Sequence, residues 1–196
     1  MSAMAPAYPV TYEVADAAPQ NRLSVLLRIF FFIPHYIILY FLQIAMGVIL
    51  FIAWFAILFT GKYPEGMLRF SIGGLRWQSR GYGYVSLLTD KYPPFSLDDD
   101  PAYPVRFNCE ERVEGRNRLT TFWPIRWLMA LPHFVILMFL GVAAFVVILL
   151  AWFAALFTGS VPSGLHNFLV GVGRWNQRVT AYIYDLVDEY PPFSMS

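Results

Sequence analysis

Charged residues are absent from two long stretches of the chain, Ile29 to Gly61 and Trp127 to Gly173, and the first of these holds 33 consecutive residues without a charge. Runs of that length and apolarity mark segments that live in hydrocarbon rather than in water. Each window closes on a dense apolar block, Ile49 to Thr60 and Val147 to Thr158. After each window the pattern changes to a helical period carrying charge. Met67, Phe70, Ile72, Leu75 and Trp77 interleave with Arg69, Arg76 and Arg80, and Leu165, Phe168, Leu169, Val172 and Trp175 interleave with Arg174 and Arg178. This is the pattern of an amphipathic helix lying at a membrane interface. Before each window stands a short alternating run, Val10 to Val14 and Val105 to Cys109, suited to a β-strand that starts after Pro9 or Pro104.

The same order of elements thus occurs twice, and the sequence itself is duplicated. Ala53 to Gly61 matches Ala151 to Gly159 at an offset of about 98. At that offset Arg28 meets Arg126, Pro34-His35 meets Pro132-His133, Arg76-Trp77 meets Arg174-Trp175, Arg80 meets Arg178, and Tyr92 to Ser96 meets Tyr190 to Ser194. Upstream the offset slips, so that Asn21-Arg-Leu23 faces Asn117-Arg-Leu119 and Tyr8-Pro-Val10 faces Tyr103-Pro-Val105. The chain therefore divides into one repeat over 1–96, an acidic, proline-bounded linker over 97–102, and a second repeat over 103–196. The two strand-like segments are placed to pair across the repeats.

How often each repeat crosses a membrane is open from length alone, since one span takes about 20 residues and two take about 40 plus a turn. Basic residues flank the first window on both sides, with Arg22 and Arg28 before it and Lys62, Arg69, Arg76 and Arg80 after it. The positive-inside rule puts both flanks in the cytoplasm and favours a helical hairpin per repeat, bent near Gln43 to Gly47 and near Phe139 to Ala143. The alternative is one long tilted helix per repeat, with Pro34 and Pro132 setting off its first turns. The fold expected is therefore a mainly α integral membrane protein: a pseudo-twofold tandem repeat of hairpins, with interfacial helices and a small cytoplasmic β element. Pro6, Pro9, Glu13, Asp16 and Pro19 leave no apolar core for a cleavable signal peptide in the first 20 residues.

Composition sharpens the picture. Hydrophobic residues make up 58% and charged ones 14%, with a net charge of +1, so nothing draws the chain to nucleic acid. The single cysteine, Cys109, has no internal partner, and no Cys/His cluster has the spacing of a metal site. No shielded nucleophile and base, and no glycine-rich phosphate loop, stand out. Arg76 and Arg80 share one helix face beside Trp77, as Arg174 and Arg178 do beside Trp175, and these six residues are candidates for binding lipid headgroups. The other reading of the four arginines is ordinary anchoring by pairing with Asp90, Asp188 or Glu189. His35 and His133 occupy equivalent places and are the candidates for haem or metal ligation, although an imidazole there can equally hydrogen-bond a carbonyl freed by the preceding proline. His166 has Leu68 as its repeat equivalent and is no part of the duplicated design.

The motifs Ile33 to Tyr36, Ala53 to Pro64, Arg76-Trp77 and Leu88 to Phe95, with their repeats, resemble the bacterial membrane-protein family of domain of unknown function 4389, as two tandem copies. The second copy departs from the pattern at Ser160-Val161-Pro162 and Asp188-Glu189-Tyr190. The resemblance implies a bacterial inner membrane and no particular reaction, substrate or site residue. The function expected is a non-catalytic accessory or scaffolding subunit of a larger membrane complex that also contacts lipid. With 18% aromatic residues the chain has the rigid surfaces that partners use. Two alternatives stand beside it: a small homo-oligomeric channel or transporter, and a haem- or quinone-handling redox subunit using His35 and His133.

Overall fold

The computed structural model describes residues 8–122 and 124–196; Pro6, part of the leader reading above, lies outside the described residues. The chain runs β1 (Val10–Val14), α1 (Arg22–Thr60), α2 (Glu65–Val85), β2 (Val105–Cys109), α3 (Arg118–Thr121), α4 (Ile125–Thr158) and α5 (Ser163–Ile183). Each repeat contributes a strand, a long apolar helix and a shorter amphipathic helix that folds back along it. Asn21 and Asn117 start the helical segments by accepting amide hydrogen bonds on their side chains, from Leu23 and Ser24 and from Leu119 and Thr120. Gly61 and Gly159 end the long helices at φ 72° and 78°, a left-handed conformation in which a Cβ would be strained. Pro124 stands one residue before α4 and separates it from α3, whereas α1 runs through the equivalent Leu26.

The long segments are single helices, not hairpins. Neither Gln43 to Gly47 nor Phe139 to Ala143 leaves the helix. Gly47 costs α1 only about 1 kcal/mol against alanine. Met46 is buried in contact with Gly74 of α2, and Gln43, rather than marking a bend, accepts a 2.7 Å hydrogen bond from the Tyr184 hydroxyl. Pro34 and Pro132 lie inside helices that continue past them.

β1 and β2 pair antiparallel with Tyr12 opposite Phe107, Val10 opposite Cys109 and Val14 opposite Val105. The repeat relation carries Tyr12 onto Phe107 and Val10 onto Val105, so exchanging the copies returns this register to itself. A twofold axis therefore passes between Tyr12 and Phe107. Both of these rings point into the protein, so the axis stands perpendicular to the sheet. Along it lie three layers. Gly83 meets Val105 and Gly173 meets Tyr12, which seats the sheet on α2 and α5. On their other side α2 and α5 pack against α1 and α4. The long helices are antiparallel: the Trp54 indole of α1 donates to the Thr121 carbonyl at 2.7 Å, and the Trp152 indole of α4 donates to the Val25 carbonyl at 3.0 Å.

The amphipathic helices are consequently core elements. Leu68, Ile72, Leu75, Trp77 and Tyr84 of α2 are buried, as are Leu169, Val172, Trp175, Val179 and Tyr182 of α5. The apolar period read as a lipid-facing surface is satisfied by protein. The outermost apolar surface belongs instead to α1 and α4. α1 turns Val25, Arg28, His35, Met46, Ala53 and Ile57 inward along its whole length, and exposes Ile29, Phe30, Tyr36, Phe41, Ile44, Phe51 and Phe59 on the opposite side.

Candidate functional site

Each repeat holds a buried arginine at the root of its long helix. Arg28 is 2% exposed and lies over the Tyr84 ring at 4.6 Å. It donates to the carbonyls of Tyr84 at 2.5 Å and Thr89 at 3.0 Å, to Gln20 Oε1 at 2.7 Å and to Asp90 Oδ1 at 2.8 Å. Arg126 repeats this arrangement over Tyr182 at 4.4 Å, donating to the Tyr182 and Val187 carbonyls, both at 2.7 Å, and pairing with Asp188 at 3.1 Å. Asp90 and Asp188 also accept the backbone N–H of Asn21 and Asn117, at 3.1 and 3.2 Å, so that each carboxylate ties the end of one helix to the start of another. Sequence reading overlooked Arg28 and Arg126 as organisers. Their exact repetition beside the apolar windows, together with the repeated Asp90 and Asp188, was the available signal.

The copies differ at one point of this network. Where the first has Gln20 and Leu87, the second has Arg116 and Asp185. Gln20 donates to the Leu87 carbonyl at 3.1 Å, and Arg116 donates to the Asp185 carbonyl in the equivalent place. Leu87 and Asp185 share a left-handed backbone, φ 61° and 55°. Asp185 is 3% exposed; its Oδ1 pairs with Arg126 Nε at 2.8 Å and accepts from the Thr121 hydroxyl at 3.1 Å. Burial pushes this carboxyl above the usual carboxylate range against the pull of Arg126, Thr121 and Arg116. A cavity of about 430 Å³ opens beside it, lined by Gly47, Leu50, Trp54, Trp127 and Ile183 together with Arg126 and Asp185. Gly47 stands where the other long helix carries Phe145, and a Cβ at Gly47 would meet open space. The space suits an apolar group with one polar end.

The sequence-selected residues are arranged differently from expectation. Trp77 and Trp175 are buried, and each indole N–H donates to a histidine Nδ1 at 3.0 Å, Trp77 to His35 and Trp175 to His133. They are not placed to meet lipid headgroups, because their polar edges point inward. Arg76 donates to the Phe107 carbonyl and Asn108 Oδ1, both at 3.4 Å, and Arg174 to the carbonyls of Tyr12 at 3.2 Å and Met195 at 3.1 Å. Arg80 is buried and donates to the carbonyls of Ser96, at 3.2 Å, and Asp98; Arg178 donates to the Ser196 carbonyl at 2.8 Å. All four guanidinium groups brace strands and repeat ends on the sheet side, so they do not form a headgroup clamp. Nor do they pair with Asp90, Asp188 or Glu189, whose partners are Arg28, Arg116, Arg126 and Arg112.

His35 and His133 are fully buried in two separate aromatic boxes. Phe95 stacks on His35 at 3.9 Å with Tyr92 at 4.9 Å, and Phe193 stacks on His133 at 4.0 Å with Tyr190 at 4.9 Å. Each Nδ1 is occupied by a tryptophan and each ring is capped by its own repeat's Tyr-Pro-Pro-Phe. The two imidazoles do not converge on one ligand site, and this geometry gives no support to a shared haem or metal. No group of three or more metal-ligating side chains occurs among the described residues. Cys109 is buried, and desolvation pushes its thiol up to about 12.

These features define a tandem-duplicated, mainly helical protein with two helices long and apolar enough to cross a membrane and a braced polar interior. The chain belongs to the family described as a domain of unknown function, DUF4389, whose model matches residues 22–96 and 120–195. Two matched segments mean two tandem copies of that domain. No curated protein and no solved structure matches the chain.

Proposed function

We propose that the protein is a non-catalytic, membrane-anchored accessory or scaffolding subunit. The observation that carries this reading is its two-faced construction. Apart from Tyr92, Phe95, Leu119, Phe122, Tyr190 and Phe193, every exposed large apolar side chain among the described residues belongs to α1 or α4. Water-soluble monomers rarely expose apolar patches beyond a few hundred Å², so lipid is the natural neighbour of this face. The opposite face carries the polar sheet edge, with Glu13, Thr11 and the Arg106–Asp99 ion pair at 2.7 Å, and is the face available to a protein partner. The buried charges between them are committed to backbone carbonyls and to one another, which suits a rigid support.

Native mass spectrometry after mild-detergent extraction from the source membrane tests the reading. The expected result is a stoichiometric complex with a larger membrane protein, with lipid retained. A homo-oligomer alone that passes ions or small solutes in proteoliposomes would replace it with a channel.

A further inference from the structure

The repeat symmetry bears on how the apolar face meets lipid. We propose that α1 and α4 lie flat in one leaflet, with the twofold axis along the membrane normal, and that neither helix crosses the bilayer. The partner surface is thus a single lipid leaflet. This rests on the membrane anchorage proposed above and specifies its geometry.

Three observations carry it. First, the antiparallel α1 and α4 are exchanged by an axis perpendicular to both. If the helices stood upright, that axis would lie in the membrane plane and the copies would be inverted. The Lys62 turn and the Ser160 turn would then face opposite compartments, and so would the equivalent residues Arg28 and Arg126, against the bias of basic residues to one side. Second, the sheet sits on the same axis, over the middle of the long helices. Gly81 of α2 meets Phe32 and Leu39 of α1 while Gly83, two residues on, meets Val105 of β2. Upright helices would place Glu13, Arg106 and Asp99 near the bilayer centre, where charge is costly. Flat helices leave the sheet in water. Third, exposed apolar residues on α1 run from Leu23 to Phe59, about 54 Å at ~1.5 Å per residue, against ~30 Å of hydrocarbon. A helix lying in the interface has no such limit of length, and an apolar face buried about 5–10 Å deep accommodates the whole row.

The flanks agree with this placement. Tyr92 and Phe95 in one repeat, and Tyr190 and Phe193 in the other, are half-exposed aromatic residues beside the long helices. The Tyr92 hydroxyl donates to the Phe31 carbonyl at 3.0 Å and the Tyr190 hydroxyl to the Met129 carbonyl at 2.8 Å. With the helices flat, these rings fall at headgroup level, where Tyr is favoured.

Nitroxide depth measurement on the full chain tests the proposal. Labels at Phe30→Cys, Phe41→Cys and Phe59→Cys, all on the outward side of α1, are read in vesicles of phosphatidylcholine and phosphatidylglycerol by collision with oxygen and with a water-soluble nickel chelate. The expected result is one common depth for all three, with a Thr11→Cys label on the sheet fully accessible to nickel. Impermeant maleimide added outside the vesicles labels Lys62→Cys and Ser160→Cys to the same extent. A profile deepest at Phe41 and shallow at both ends, with the two turns on opposite sides, overturns the flat orientation and leaves membrane anchorage standing. Failure of the unlabelled protein to float with vesicles overturns the anchorage itself and this orientation with it. Each label is placed both in the natural background and with Cys109→Ser, so that neither a misfolded variant nor the native thiol decides the result.

Discussion

At the scale of single residues, the buried histidine of each repeat takes a hydrogen bond from a tryptophan of the same repeat. His35 and His133 take hydrogen bonds from Trp77 and Trp175 at the same 3.0 Å. Replacing Trp77 by Phe keeps the ring but leaves a buried imidazole nitrogen unpaired, a loss of about 1–3 kcal/mol. The melting temperature in detergent should fall by about 2–4 °C per kcal/mol for a chain of this size, and Trp175→Phe should match it. Unchanged melting in both variants would show that the tryptophans serve only as volume. Cys109 and Tyr63 contribute to an alkaline pH dependence, since burial pushes the thiol and the phenol each up to about 12. Their unfolded-state values are lower, so above about pH 9 the unfolded chain releases these protons first and stability declines as pH rises toward 12. At pH 8 the folded thiol should resist alkylation and react only after denaturation. Rapid labelling of native protein would contradict the burial of Cys109.

At the scale of elements, the decisive events are close approaches between helices and the segments that cross them. The chain after each Tyr-Pro-Pro-Phe-Ser passes directly over a glycine. A Cβ on Gly73 would come within 2.8 Å of Leu97 Cβ and 2.9 Å of its carbonyl oxygen, and one on Gly171 within 2.9 Å of Met195 Cβ. Gly73→Ala or Gly171→Ala should lift the crossing segment at a cost of about 1–3 kcal/mol, read as lower melting and as faster proteolysis after Phe95 or Phe193. Equal resistance to protease in the variants would show that the crossing is loose. The sequence announced some of these elements well: strands at Val10 and Val105, apolar blocks ending at Thr60 and Thr158, and a repeat that pairs its strands all follow from alternation, charge-free runs and the duplicated text. It misplaced the amphipathic helices because periodicity reports that a face is apolar without saying whether protein or lipid covers it. The expected bends at Gln43 and Gly141 failed for a related reason. A polar or flexible residue breaks a helix only if nothing nearby satisfies or packs it, and Tyr184 satisfies Gln43.

At the scale of the whole molecule, duplication fixes the architecture and a departure from it in the buried polar network leaves room for specialisation. Gln20 and Leu87 in one copy face Arg116 and Asp185 in the other, an exchange of a neutral pair for a charged one. Asp185→Leu alone removes the partner of Arg126 Nε and leaves uncompensated buried positive charge, a loss of about 3–5 kcal/mol. The double variant Arg116→Gln, Asp185→Leu copies the first repeat, whose Leu87 already adopts the same left-handed backbone, and should recover most of that loss. Additive destabilisation, read from melting of the two singles and the double, would show that the two sites are not coupled.

The sequence by itself determined the duplication, the family, the two strands and the apolar character of the long segments, because each of these is written in spacing along one chain. Only the tertiary structure decided which arginines are buried, that Trp77 and Trp175 turn inward to histidines, and that α1 and α4 form one outer layer opposite the sheet. Those facts depend on which residues from separated parts of the chain meet. Arg28 finds its carboxylate at Asp90, and β1 finds its partner in the other repeat. Spacing along a chain states what each segment prefers, whereas the partner that satisfies a buried charge or covers an apolar face is settled only when the segments pack.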